Sequence, residues 1–119
     1  MKATRCALFI IGCIVQAWAL AAGPAEMRAG VLVDSQGFTL YSYDHDGLYS
    51  ACIDRCAEVW PPYVVNSEAH AEGDFSVIMR DDGDHQWAYK GRPLYRWKGD
   101  VKGGDVTGDG VNGVWHVIK

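Results

Sequence analysis

The chain has 119 residues, with 15 acidic side chains against 11 basic ones and a formal charge of −4. That balance, without any basic cluster, argues against a protein that grips a nucleic-acid backbone. Its length limits it to one small domain, and its four cysteines raise the question of redox compartment at once.

Residues 1–22 read as a secretory signal. Lys2 and Arg5 supply the positive start, Cys6–Val15 the short apolar run, and Ala19, Ala21 and Ala22 the small residues before a cleavage point. A membrane span needs about 20 apolar residues, whereas Gln16 interrupts this run and Gly23-Pro24 ends it. Cys13 follows Ile-Ile-Gly, a loose lipobox, but the apolar stretch before it is short and continues past it. Cleavage is therefore expected ahead of lipid anchoring. It would leave residues 23–119 as a single domain with 9 basic and 15 acidic residues. No transmembrane span is expected beyond the signal.

In chain order, residues 23–29 form a loose lead-in. Val31–Asp34 reads as a strand, Ser35–Gly37 as a turn and Phe38–Tyr43 as the partner strand of a hairpin. Ser50–Trp60 has helical spacing through Cys52, Ile53, Cys56, Ala57 and Trp60, with Ser50 as N-cap and Pro61-Pro62 as the stop. A polar loop spans 66–74. Strands are expected at Phe75–Met79 and Gln86–Tyr89, with turns at 81–84 and 90–91. A glycine-rich loop over 103–113 leads into the closing strand Val114–Ile118. The pattern predicts a small, mainly antiparallel β domain with one short helix.

One ten-residue pattern occurs twice. Gly37, Leu40, Tyr41, Tyr43 and Asp46 return 54 residues later as Gly91, Leu94, Tyr95, Trp97 and Asp100. The chain is thus two tandem pseudo-repeats, about 30–65 and 75–119, that must pack together because neither can bury its own face. Strand alternation groups Tyr41 with Tyr43, and Tyr95 with Trp97. In the second copy Arg92 and Arg96 flank Leu94. The aromatic face is therefore expected in the core and the leucine face in solvent.

Asp46 and Asp100 close the two copies, either as a carboxylate pair for a cation or as caps that accept backbone N–H groups of their loops, the reading favoured here. Asp105 and Asp109 sit in Asp105-Val-Thr-Gly-Asp109-Gly110, the front half of a calcium loop, but the twelfth position is His116 where a bidentate glutamate is needed. They are weak candidates for a bound divalent cation, and no other cofactor is expected. Cys52 and Cys56, four apart in an oxidising compartment, read as a disulfide; a labile or metal-binding thiol pair is the alternative. His45, His70, His85 and His116 show no zinc spacing, and no nucleophile–base signature occurs.

These segments resemble a known family. Tyr41-Ser-Tyr43-Asp-His-Asp46 and Tyr95-Arg-Trp97-Lys-Gly-Asp100 are similar to the doubled Yx(F/W/Y)xxD motif of bacterial secreted-repeat proteins of unknown function, often described as predicted lipoproteins. Cys52–Pro62 resembles its C-x-x-x-C-A-x-x-W-P-P segment, and Gln86–Tyr95 and Val114–Val117 resemble its second-repeat entry and tail. The resemblance implies a bacterial envelope location, periplasmic or secreted, and no settled activity. The reading is a non-enzymatic binding or structural module whose partner is an envelope protein or a small ligand. The alternative is an envelope redox or metal-handling protein that uses Cys52 and Cys56.

Overall fold

The computed structural model describes residues 23–119. The signal-like segment, with Cys6 and Cys13, lies outside the described residues. The elements are β1 (Ala25–Arg28), β2 (Val31–Asp34), β3 (Tyr41–Tyr43), α1 (Arg55–Val59), β4 (Val64–Val65), β5 (Phe75–Met79), β6 (His85–Tyr89), β7 (Arg92–Pro93) and β8 (Trp115–Val117), with a 3-10 turn at Val111–Gly113 before β8. The fold is mainly antiparallel β with one short helix and two tandem repeats, as the pattern predicts.

Each repeat starts from a hairpin: β1 pairs with β2, and β5 with β6. The lead-in expected over 23–29 is in fact largely β1. Ala29-Gly30 closes that hairpin with φ of 53° and 85°, and Lys90-Gly91 turns β6 into β7 with φ of 51° and 82°. Positive φ at both central positions is the turn whose twist matches paired strands. The expected hairpin of Phe38–Tyr43 on Val31–Asp34 is present in short form, as a bridge between Val33 and Thr39 with bonds from Asp34 N–H to the Phe38 carbonyl (2.9 Å) and from Leu40 N–H to the Leu32 carbonyl (3.0 Å), while Tyr41–Tyr43 pairs elsewhere. β1 pairs on the opposite edge of β2, and this edge is shared with the chain end, where Leu32 N–H donates to the Ile118 carbonyl (2.8 Å).

The closing segments are exchanged between the repeats. β3 of the first repeat pairs with β8, the tail of the second, in the register Tyr41↔Val117 and Tyr43↔Trp115. The motif strand of the second repeat is closed by the tail of the first, with bonds from Arg96 N–H to the Pro61 carbonyl (2.7 Å) and from Tyr63 N–H to the Leu94 carbonyl (2.9 Å). Leu32 N–H donates to the Ile118 carbonyl, and Trp87 N–H to the Tyr63 carbonyl, in the same crossed sense (2.8 and 3.0 Å).

This exchange puts the motif strands in the middle of the molecule, so both of their faces are covered. Leu40 and Leu94, each 0% exposed, enter a core with Leu32, Trp87 and Ile118. Tyr41 and Tyr95, also 0% exposed, enter a second core with Cys52, Trp60 and Trp115. The expectation of a solvent-facing leucine side is therefore wrong. Arg92 is exposed, but Arg96 folds back: its Nε donates to the buried Asp34 carboxylate (2.5 Å), and its guanidinium lies 4.7 Å from the Phe38 ring centre.

The helix is shorter than its spacing suggests. Asp54 takes a positive φ (φ 55°, ψ −124°), outside the helical region, so α1 begins only at Arg55. Ser50 caps nothing; its hydroxyl is buried in the second core's polar network. Cys52 precedes the helix and joins Cys56 across it, with their Cα atoms 5.2 Å apart.

Candidate functional site

The two motif tyrosines lie against each other at the centre of the fold. Tyr41 N–H donates to the Tyr95 carbonyl (2.8 Å), and Tyr95 N–H returns a bond to the Tyr41 carbonyl (3.1 Å). Their side chains cross to the opposite repeat. The Tyr41 hydroxyl donates to Asp100 Oδ2 (2.6 Å), and the Tyr95 hydroxyl donates to Asp46 Oδ2 (2.8 Å). The second oxygen of each carboxylate holds its own loop. Asp46 Oδ1 accepts Ala51 N–H (2.6 Å), while Asp100 Oδ1 accepts the N–H and the hydroxyl of Thr107 (2.9 and 2.7 Å). The loop-cap geometry thus occurs together with a tyrosine bond that spacing alone did not suggest.

Around these pairs the copies differ. The Tyr41 oxygen accepts Gly108 N–H (3.1 Å). The Tyr95 oxygen instead meets the Ser50 hydroxyl, which accepts a bond from Arg80 Nη1 (2.6 Å). Arg80 also donates to Gln86 Oε1 (3.0 Å) and to the Cys52 carbonyl (2.7 Å). Its side chain is buried, its Nε bonds to nothing, and the nearest carboxylate, that of Asp82, stands 3.7 Å away. A buried cation thus reaches Asp46 through two hydroxyls in series. Ser50, Arg80 and Gln86 carry no sequence signal beyond a lone charge after an apolar strand.

Burial sets the acidities. It is the first cause that lifts the Tyr41 phenol far above its usual range, and the bonded Asp100 adds to it, against the opposing Gly108 N–H. Burial likewise lifts Tyr95, with the Asp46 charge adding and Ser50 opposing. The Asp46 carboxyl is also raised, by burial against the pull of Ala51 N–H and Tyr95. Phenols held this way keep their protons near neutrality and cannot serve as bases there.

The remaining motif rings, Tyr43 and Trp97, flank Trp115 and Trp60 in a continuous row whose successive ring centres are 4.2, 3.9 and 4.2 Å apart, the Trp60–Trp97 contact being tilted by 31°. Trp115 and Trp60, one from each repeat, are parallel within 2°. Tyr41 and Tyr95 meet them edge-on. The Cys52–Cys56 disulfide packs in the same cluster, with Cys52 fully buried and Cys56 partly so.

The acidic glycine loop spends its carboxylates on backbone. Asp105 Oδ2 accepts Val101 and Lys102 N–H (2.9 and 3.1 Å), and Asp109 Oδ1 accepts Val117 N–H (3.0 Å). Among the described residues no group of three or more His, Cys, Asp or Glu could hold a metal ion. His116 pairs with Asp44 (2.8 Å), and His45 stands edge-on to Tyr43. A cleft of about 590 Å³ opens between the β1–β2 hairpin and this loop, lined by Val31, Val33, Thr39, Gly104 and Val106.

A family described as a secreted repeat of unknown function matches residues 26–63 and 76–119. The chain belongs to this family. The two matched segments of the secreted repeat coincide with the two structural copies, each holding one motif strand and one exchanged closer. No curated protein and no solved structure matches the chain. The family is described as secreted, and no helix among the described residues is long and apolar enough to cross a membrane.

Proposed function

We propose that this secreted-repeat protein is a non-enzymatic binding or structural module of the bacterial envelope. It is made with a signal over residues 1–22 and works as one domain over 23–119. The crossed Tyr41–Asp100 and Tyr95–Asp46 bonds carry this reading. They occupy the chemically distinctive groups of both motif copies inside the fold, which makes Leu40, Tyr41, Tyr43, Asp46, Leu94, Tyr95, Trp97 and Asp100 a scaffold. The loops that differ between the two copies are then left to meet an envelope protein or a small ligand.

A second reading, a redox or metal-handling protein, draws on the Cys52–Cys56 pair, whose Cys56 end is partly accessible. Intact mass, thiol counting and elemental analysis of protein recovered from its native envelope separate the two. The first reading expects a chain starting near Gly23, no lipid, no free thiol and no stoichiometric metal. A diacyl group on Cys13 would overturn the soluble form. Two free thiols or a bound metal would overturn the scaffold reading in favour of the second.

A further inference from the structure

We propose that the row of four contacting rings carries oxidising equivalents through the second core, from Trp97 at one rim to Tyr43 at the other. This goes beyond the scaffold reading and needs no ligand. Electron tunnelling falls steeply with distance, and ring faces in van der Waals contact couple strongly. Trp60–Trp115 and Trp115–Tyr43 are stacked faces at 3.9 and 4.2 Å between centres, and Trp97 meets Trp60 at 4.2 Å with its plane tilted by 31°. The inner pair is sealed, Trp60 at 4% and Trp115 at 3% exposure, whereas both terminal rings reach solvent in part. The disulfide packs beside the stack without interrupting it.

The two ends differ chemically, which gives the relay a direction. Trp97 Nε1–H donates to Thr107 Oγ1 (3.0 Å), and that hydroxyl donates to Asp100 Oδ1 (2.7 Å). An indole becomes a much stronger acid on losing an electron, so this line can share its proton while the ring is oxidised and return it afterwards. Tyr43 closes the other end with a phenol. A one-electron oxidant takes an electron from Trp97. Electrons then pass from Trp60 to Trp97, from Trp115 to Trp60 and from Tyr43 to Trp115, while the Tyr43 phenol releases its proton to water. The net result is one electron on the oxidant, one proton in solvent and a neutral tyrosyl radical at Tyr43. A hydrogen-atom donor of the phenol or quinol class restores Tyr43 and departs as its own radical. Tyr41 and Tyr95 are the competing stops, but they touch the stack edge-on and are closed to solvent.

The test attaches a ruthenium photo-oxidant through Val101→Cys, an 80% exposed site on the turn after Trp97, in exported protein shown by mass to carry one label. Flash photolysis follows tyrosyl and tryptophanyl radicals by their separate absorption bands. A tyrosyl radical is expected after each flash. Tyr43→Phe keeps the stacked ring and should abolish that signal, leaving a longer-lived tryptophanyl radical. Trp60→Phe should slow the arrival of the tyrosyl signal; if that variant does not fold, Tyr43→Phe at the rim still decides. A tyrosyl signal that survives Tyr43→Phe and disappears in Tyr41→Phe or Tyr95→Phe would place the hole inside the core and overturn the relay. A radical that never leaves Trp97 would overturn it too.

Discussion

At the scale of single residues, Gly108 sits where the second core leaves no room for a side chain. A Cβ added to Gly108 would lie 2.9 to 3.0 Å from atoms of Tyr41, Trp60 and Trp97, all rings already in contact. Gly108→Ala should therefore destabilise the protein by about 1–3 kcal/mol through overpacking, read as a lower melting temperature. The phenols add a pH signature. Tyr41 and Tyr95 titrate near 10 when unfolded and well above that when folded, because burial opposes their ionisation. Between those values the folded state holds more protons than the unfolded one. Stability is then full below pH of about 10 and falls as pH rises beyond it. Urea midpoints measured from neutral to strongly alkaline pH should show the fall, and Tyr41→Phe with Tyr95→Phe should flatten it. At neutral pH each of those variants should also lose about 1–3 kcal/mol, because the buried Asp100 or the half-buried Asp46 carboxylate loses a donor.

At the scale of elements, the informative segment is the short loop through Cys52, Asp54 and α1. Removing the bridge with Cys52→Ala should cost about 2 kcal/mol, as the ring it closes is small, measured by denaturant unfolding under oxidising conditions. Asp54 sits at φ 55° with no side-chain cap bond to justify an aspartate there. Asp54→Gly should raise stability by up to about 1 kcal/mol, since glycine enters that region without a Cβ clash; a lowered melting point would show that the aspartate has another role. The same segment marks a limit of sequence reading. A short helix ending before Pro61-Pro62 was legible, though not its start, as were the strands at 31–34 and 75–79 and the closing strand. The backbone of Asp54 was not, because aspartate carries no glycine-like warning of positive φ. β1 was missed because Ala25–Arg28 has one buried residue and no alternation worth naming.

At the scale of the whole molecule, the repeat itself was plain from Gly37, Tyr41 and Asp46 and their later copies, yet its meaning was not. Spacing shows that two units exist; it says nothing about which unit completes which. That gap explains the error over Leu40 and Leu94, whose face is judged by neighbours in sequence but covered by strands from the other repeat. It also hid the crossed tyrosine–aspartate bonds, which join residues 49 and 59 positions apart. A fragment of residues 23–66 lacks β8 and should remain unfolded alone, as judged by circular dichroism. Mixing it with residues 67–119 should restore the β signal and protection from protease.

The exchanged closers bear on how such a chain can be delivered. A protein that crosses a membrane as an extended thread emerges amino end first. Here the first repeat cannot finish until Trp115–Val117 arrives to pair with Tyr41–Tyr43. Almost the entire length must be across before any stable unit exists to jam the channel or to be trapped half-made. Contacts that bridge most of the sequence are slow to form, and on the export route proposed above that slowness would keep the chain threadable until translocation is nearly complete.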